Sequence, residues 1–285
     1  MPGKIHGREV LMSEPYFPQL GIVYPEKPDD HMVPLIVKRD VVVDENYPFL
    51  DKSFKFQFVR YFINFVIFTL VFLFSPFMYG LKVEGRKNLR KHKKLFKNGA
   101  MTASNHVCRW DFLFIMNCVR YRTMYFPAWK EHLKGPDGWL IRASGGIPVP
   151  SDIKTMKCFN NAFDEIHEKK KWIHVFPESC RFDFFVPIRP FKKGVFSMAQ
   201  RYNLPVIPIA FSYRPPGFPI GLVNFFRALK GGKKLPMVTA RIGEPILLDP
   251  NLGRKEAIQK LRKDCHEAIV RLAGITNNPY PAEGD

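Results

Sequence analysis

The chain has 285 residues, a mass of 33.2 kDa and a formal net charge of +18. Hydrophobic residues make up 46% and charged residues 25%, which is enough for a sizeable core and excludes disorder of the whole chain. Residues 1–50 hold 5 Lys or Arg against 8 Asp or Glu, net −3, so the remaining +21 falls on residues 51–285. This charge predicts an anionic partner: nucleic acid, an anionic membrane or a phosphorylated substrate.

The five cysteines are odd in number and include neither a CxxC pair nor a zinc-ligand spacing. We therefore expect no disulfide framework and no zinc site, which fits a reducing compartment. Residues 1–50 are polar and contain prolines, unlike a signal peptide, and the C-terminus has no lipidation motif. These first 50 residues are predicted to form an irregular extension.

The first distinctive segment is an apolar run over residues 61–81 that has no charged side chain. About 20 apolar residues suffice for a helix that crosses a bilayer. Pro76 interrupts the run, so a kinked or re-entrant helix stays an equal alternative, and a buried core helix is a third. Residues 82–97 carry eight Lys or Arg against one Glu, a charge typical of the cytoplasmic side. We predict a membrane-anchoring helical segment over residues 51–81 and a domain over residues 82–285 on the cytoplasmic face.

The rest of the chain alternates between short strand-like runs and helical patterns. Strands are predicted over residues 100–104, 123–127, 147–149, 172–176, 206–213 and 237–242. Helices are predicted over residues 111–120, 152–168, 194–202 and 254–272. This alternation predicts an α/β fold with a mixed, mostly parallel sheet flanked by helices.

A histidine and an aspartate form an NHxxxxD pattern directly after the first predicted strand. His106 suits a general base because its ordinary pKa lies near 6.5, and such a base needs an orienting partner. Asp111 lies five residues on, where a regular helix would turn it away from His106. The spacing therefore predicts an irregular link between strand and helix, while the alternative is that Asp111 only caps the helix.

Two glycines precede the next strand. Gly145 and Gly146 would let the backbone approach a ligand closely, and the helix that follows Ser151 would offer free N–H groups to a phosphate. An ordinary turn with Ser151 as the N-cap explains the same residues.

A third group of polar residues follows the strand over residues 172–176. Arg181 would offer a two-pronged donor to a phosphate, and Glu178 would hold that arginine or a loop by accepting hydrogen bonds. A surface Glu–Arg pair is the alternative. Cys180 has no activating base beside it in sequence, so we do not predict a cysteine nucleophile.

These stretches occur in a characteristic order, together with Lys130-Glu131-His132-Leu133 and Lys192-Lys193-Gly194-Val195-Phe196. From about residue 83 to residue 244 the sequence resembles the glycerolipid acyltransferases, and the 1-acyl-glycerol-3-phosphate acyltransferases in particular. The series of motifs is specific, whereas any one of them alone is not.

The resemblance implies an enzyme that moves a fatty acyl group from acyl-CoA or acyl-carrier protein to the free hydroxyl of a lysophospholipid, with no metal and no other cofactor. His106 would be the general base and Asp111 would hold its ring. Arg181, with Lys130 or Lys193, would bind the acceptor phosphate. Backbone N–H groups near the glycine loop would stabilise the oxyanion. Lysophosphatidic acid would be the acceptor and phosphatidic acid the product.

The sequence departs from the family pattern at two places. Ser151 stands where the glycine block usually ends in arginine, and Glu178-Ser179-Cys180-Arg181 stands where EGTR is usual. The acceptor head group is thereby left open, although Lys154 or Lys157 could supply the missing charge. Two other functions stay in view: a lipid hydrolase or transacylase that uses the same pair, and a non-enzymatic basic protein that binds a membrane or nucleic acid. The basic segment over residues 82–97 contains a single aromatic residue, Phe96, which disfavours the binding of nucleic acid.

Overall fold

The structure, a computed structural model, describes residues 15–32, 37–38, 41–120, 122–218 and 220–283. Part of the predicted extension over residues 1–50 lies outside these ranges. Within them the strands are β1 (Lys82–Glu84), β2 (Met101–Ser104), β3 (Met124–Trp129), β4 (Gly146–Val149), β5 (Trp172–Val175), β6 (Val206–Arg214) and β7 (Met237–Ile242). The α-helices are α1 (Phe54–Tyr79), α2 (Arg86–Lys91), α3 (Asp111–Val119), α4 (Lys130–Leu133), α5 (Gly138–Ala143), α6 (Ile153–Glu168), α7 (Lys193–Arg201), α8 (Ile220–Leu229) and α9 (Arg254–Ala273), with a 3-10 helix at Lys93–Asn98.

The strands form one sheet in the order β1-β7-β6-β2-β5-β3-β4. All neighbours pair in parallel except β6 and β7, so the predicted mixed, mostly parallel sheet is confirmed. The central strands are buried on both faces, which explains their unbroken apolar runs. The ends of β2, β5 and β6 meet at one edge, the carboxyl edge of the sheet.

Helices cover the two faces of the sheet with separate apolar clusters. One cluster joins α6, α7 and α9 through side chains such as Phe163, Phe196 and Ile269. The other brings Phe114 of α3 against Phe211 of β6, with ring centroids 5.8 Å apart. Burial of these rings on both faces of the sheet holds the central strands β6, β2 and β5, which carry the site, in register.

Local capping decides where two of the predicted helices begin and end. The α6 helix is capped by Asp152, whose carboxylate accepts a hydrogen bond from the Thr155 backbone N–H at 2.8 Å. The alternative prediction of Ser151 as the N-cap is therefore wrong. The α9 helix ends at Gly274, which adopts the left-handed conformation that stops it.

The α1 helix runs without interruption through Pro76 and ends at Gly80, which has φ +54°. It lies against the body along its length: Asn64 Nδ2 donates to the Ala143 carbonyl at 3.2 Å, and Asn117 Nδ2 of α3 donates to Ser75 Oγ at 3.1 Å. In the part of the chain that the structure describes, no helix is both long and apolar enough to cross a membrane. The anchoring role of this segment stays a prediction.

Candidate functional site

The candidate site lies at the carboxyl edge of the sheet, in the loops that follow β2 and β5. These two strands are neighbours, so the residues after them come together although 72 positions separate them in the chain. Asn105 fixes the first loop to β6: its Nδ2 donates to the Phe211 carbonyl at 3.0 Å, and its Oδ1 accepts from the Phe211 N–H at 2.8 Å. The asparagine of the NHxxxxD pattern therefore holds the histidine loop in place.

His106 and Asp111 are in direct contact. The distance from His106 Nδ1 to Asp111 Oδ2 is 2.6 Å, and the same oxygen accepts from the backbone N–H groups of Val107 at 2.9 Å and Cys108 at 3.3 Å. The chain between them is not helical, and α3 begins only at Asp111. The irregular link expected from the five-residue spacing is thus present, and Asp111 orients the ring through Nδ1.

The other ring nitrogen of His106 points away from these partners. No residue within the described ranges forms a hydrogen bond with His106 Nε2, and the side chain is 17% exposed. Phe176 stacks on the ring with centroids 4.0 Å apart. The carboxylate on Nδ1 holds the tautomer in which Nε2 carries a free lone pair, so Nε2 can accept a proton from a group that enters the site.

Glu178 is buried and does not contact Arg181, so the expectation that it would hold this arginine is wrong. It holds the loop after β2 instead, which was the other expectation. Its Oε2 accepts from the His106 backbone N–H at 2.9 Å and from Arg189 Nη2 at 3.1 Å, while its Oε1 accepts from the Arg189 N–H at 2.8 Å. The side chains of Glu178 and Arg189 are almost inaccessible to solvent. The alternative of a surface pair between Glu178 and Arg181 is wrong as well, because Glu178 is buried and pairs with Arg189. Arg189 also lies over the Phe182 ring, 3.9 Å from its centroid. The sequence analysis missed Arg189 because nothing local connects it to Glu178.

Arg181 lies beside Asp183, with Nε 2.8 Å from Oδ1. Burial raises the pKa of the Asp183 carboxyl, and the charge of Arg181 partly offsets this. Burial also lowers the pKa of His132 to about 4, and the nearby charges of His106 and Arg181 add to that effect. Arg181 and the neutral His132 therefore belong to the electrostatic surroundings of His106, and His132 is a site residue that the sequence analysis did not single out.

The two predicted lysines have different surroundings. Lys130, at the start of α4, donates from Nζ to Ser151 Oγ at 2.8 Å, so its charge lies at the position where relatives of the family carry arginine. Lys193 opens α7 and is exposed. Their roles toward a substrate stay predictions.

The two glycines are required by close packing against β3 and α5. Gly145 has φ +110°, and a Cβ there would lie 2.3 Å from the Met124 carbonyl oxygen. A Cβ on Gly146 would lie 2.6 Å from the Ile141 side chain. Close backbone packing thus explains both residues without a ligand, and a binding role for them stays a prediction.

The extension before α1 covers part of the site, which the sequence did not indicate. Tyr24 Oη donates to the Asp183 carbonyl at 2.8 Å, and Lys192 Nζ lies 2.6 Å from Asp29 Oδ2. His31 stacks on Trp129 with centroids 4.0 Å apart. Among the described residues, no group of three His, Cys, Asp or Glu side chains has the arrangement of a metal site.

Comparison with known proteins finds a family model that contains the residues of this site. The family model "Acyltransferase" matches residues 80–212, which contain both members of the His–Asp pair and the loop after β5. The 1-acyl-sn-glycerol-3-phosphate acyltransferase of Saccharomyces cerevisiae is 28% identical over 78 residues, which is 26% of this chain and 26% of that protein. The aligned part thus spans about a quarter of that relative.

A solved structure was also found, that of the 1-acyl-sn-glycerophosphate (LPA) acyltransferase PlsC from Thermotoga maritima. It is 21% identical, with a TM-score of 0.48, and the match covers 79% of this chain and 84% of that one. The family-model match runs from β1 into β6 and includes the complete NHxxxxD motif.

Proposed function

We propose that this protein transfers a fatty acyl group from acyl-CoA or acyl-carrier protein to the free hydroxyl of a lysophospholipid, with lysophosphatidic acid as the first candidate acceptor. The observation that carries the proposal is the His106–Asp111 contact of 2.6 Å, with Nε2 of the same ring left open. The family match and the name of the yeast relative support the substrate class.

The reaction needs no covalent enzyme intermediate. His106 Nε2 takes the proton of the acceptor hydroxyl as its oxygen attacks the thioester carbonyl. The carbon–sulfur bond of the tetrahedral intermediate then breaks, and the leaving sulfur receives the proton from the imidazolium as a free thiol. Asp111 stabilises the positive ring between these steps, as a buried carboxylate does in a serine-protease relay. Such general-base assistance accelerates a reaction by about 10²–10⁴-fold.

The acceptor phosphate has two sources of positive charge near the site. Lys130 stands at Ser151 and replaces the arginine usual in the family, while Arg181 lies close enough to His106 to share its electrostatic surroundings. Lys193 is a further exposed donor at the start of α7. These groups favour a phosphate-bearing head group over a neutral one.

The proposal includes association with the cytoplasmic face of a phospholipid membrane through α1. One side of this helix packs on α3 and α5, whereas Phe58, Phe62, Phe65 and Phe77 are exposed on it. A helix held against the body in this way would lie in the interface and immerse its outer face. The eight basic residues over 82–97 would bind anionic head groups nearby.

The deciding experiment compares wild-type protein with His106→Ala in an assay of thiol release, using lysophosphatidic acid with acyl-CoA and, separately, with acyl-carrier protein. We expect the variant to lose about 10²–10⁴-fold in rate. His92→Ala is the matched control, because His92 is also half-buried and pairs with an acidic residue, Glu244, but lies away from the carboxyl edge.

Two results would contradict the proposal. Thiol release by His106→Ala at the wild-type rate would exclude the general base. Free fatty acid as the main product, unaffected by added lysolipid, would instead identify a hydrolase.

A further inference from the structure

The α8 helix begins at the same edge of the sheet as the candidate site. It follows β6, which runs parallel to β2 and continues past the level of Ser104 to Arg214. Its inner side is fixed to the body: Ile220 is fully buried, and the Asn224 amide both donates to the Leu235 carbonyl at 2.9 Å and accepts from the Leu235 N–H at 2.8 Å. The orientation of the helix is therefore set by internal contacts.

The outer side of α8 is strongly apolar and uncovered. Four apolar residues have the spacing i, i+3, i+4, i+7 of one helix face: Leu222, Phe225, Phe226 and Leu229. A fifth, Phe218, precedes the helix. These five side chains are between 56% and 92% exposed. A contiguous apolar patch of this kind on a folded protein marks a surface that another molecule or a membrane covers.

The surroundings of this face indicate which partner covers it. Four exposed basic side chains follow or interrupt the apolar residues: Arg227, Lys230, Lys233 and Lys234. The helix also packs against α1, whose outer face carries exposed phenylalanines of its own. An apolar face bordered by Lys and Arg complements a bilayer with anionic head groups, since the rings enter the acyl boundary while the charges stay at the phosphates.

We propose that α8 is a second lipid-contacting element, distinct from the N-terminal helix, which inserts Leu222, Phe225, Phe226 and Leu229 into an anionic bilayer. Two elements at the carboxyl edge fix the orientation of the protein on the membrane, whereas one helix would leave it free to rotate about that helix. The edge of the sheet that carries His106 then faces the lipid surface. This inference rests on the proposed membrane association and extends it to a part of the chain that carries no catalytic motif.

The direct test is the depth of a nitroxide label at position 226. Four of the five cysteines are buried, so Cys158→Ser gives a background in which an introduced cysteine is labelled selectively. Phe226→Cys is compared with Leu247→Cys, because Leu247 is 55% exposed against 56% for Phe226 but lies beyond β7 at the opposite edge. Each labelled full chain is bound to vesicles of phosphatidylcholine and phosphatidylglycerol, and collisions with oxygen and with a water-soluble nickel complex are measured.

We expect the label at position 226 to gain oxygen collisions and lose nickel collisions on vesicle binding, while the label at position 247 stays accessible to nickel. Equal nickel access at both positions on bound protein would overturn the proposal. Concentration-dependent spin–spin broadening at position 226 without vesicles would also overturn it, because the face would then be covered by a second copy of the chain.

A functional test separates this inference from the proposed reaction. The double variant Leu222→Ser/Phe226→Ser should lose about tenfold in acyl transfer to an acceptor embedded in vesicles, because its productive orientation on the surface is weakened. Its rate with a short-chain lysolipid dissolved as monomers should equal that of wild type. The matched control Leu247→Ser should be unchanged in both assays. Loss in both assays by the double variant would contradict a membrane role for α8, whereas an inactive wild type in both would contradict the proposed function alone.

Discussion

Phenylalanine side chains are buried in one region of this molecule and exposed to solvent in another. Around the sheet, large rings are fully enclosed, with at most 1% of each exposed: Phe114, Phe163, Phe182, Phe191, Phe196 and Phe211. On the outer sides of α1 and α8, and in the turn before α8, the same residue type is largely exposed, at Phe54, Phe58, Phe62, Phe65, Phe77, Phe218, Phe225 and Phe226. The enclosed rings therefore stabilise the fold by their burial, whereas the exposed rings contribute little to it and form the surface that we propose to contact lipid.

Polar side chains are likewise buried in the first region and exposed in the second. At the carboxyl edge, Asn105, Asp111, Glu178 and Arg189 are buried, and each has several hydrogen-bond partners. Because an unpaired buried polar group costs free energy, these partners keep the loop that carries His106 in a single arrangement. The basic groups beside α8 are exposed instead and remain available to anions in solution.

The largest effect on stability is expected from Glu178→Gln. The amide would present an N–H group to donors that now meet a carboxylate, and it would leave the Arg189 charge buried without a counter-ion. Breaking a buried pair in this way costs about 3–5 kcal/mol of unfolding free energy. Chemical denaturation followed by circular dichroism measures the loss.

Glu244→Gln is the matched control for this substitution. Glu244 pairs with Lys91 at 3.1 Å on the surface, so the control should change the free energy of unfolding by less than about 1 kcal/mol. Equal losses in the two variants would mean that Glu178 does not hold the loop after β2.

Removal of one ring from each region tests the comparison itself. Phe211→Ala opens a cavity beside Phe114 and should cost about 3–5 kcal/mol of unfolding free energy. Phe225→Ala, measured in the absence of lipid, should change it by no more than about 0.5 kcal/mol, because the ring is already exposed to water. Denaturant titrations of both variants provide the measurement, and a large loss in Phe225→Ala would show that α8 packs against the body more deeply than the structure has it.

The sequence predicted much of the fold because strand patterns are local. The six predicted strands are all present, with ends shifted by at most two residues, as in the strand expected over residues 123–127 and found at Met124–Trp129. The helix α8 was missed because it is only ten residues long and lies between a proline-rich turn and the glycines at positions 231 and 232. The short strand β1 was also missed, since three residues that include two charged ones carry no strand pattern of their own.

The site was predictable where its contacts are short in sequence. The five-residue spacing between His106 and Asp111 predicted the irregular link between them, while their contact was expected from the family resemblance. Arg189 and His31 escaped prediction because tertiary packing brings them to the site, one from the far end of the loop after β5 and the other from the extension. Glu178 was recognised as a hydrogen-bond acceptor, but its partner could be identified only from the fold.

The pH dependence of stability gives the smallest of these effects and concerns the enclosed region. His174 lies in β5 between Thr102, 2.9 Å from its Nδ1, and the Phe176 ring, and burial lowers its pKa to about 3, with a further contribution from the charge of His106. In the unfolded chain its pKa is about 6.5. Between these values the unfolded state binds a proton that the folded state does not, so stability is full above about pH 6.5 and falls as the pH decreases.

From pH 7 to pH 5 this one group should therefore remove about 2 kcal/mol of unfolding free energy. His174→Gln removes the titrating group and keeps a hydrogen-bonding partner for Thr102. The loss of unfolding free energy between pH 7 and pH 5, measured by denaturant titration, should be about 2 kcal/mol smaller in this variant than in wild type. Parallel losses in the two proteins would mean that water reaches His174, and that the interior of the sheet beside His106 is less enclosed than the burial of His174 indicates.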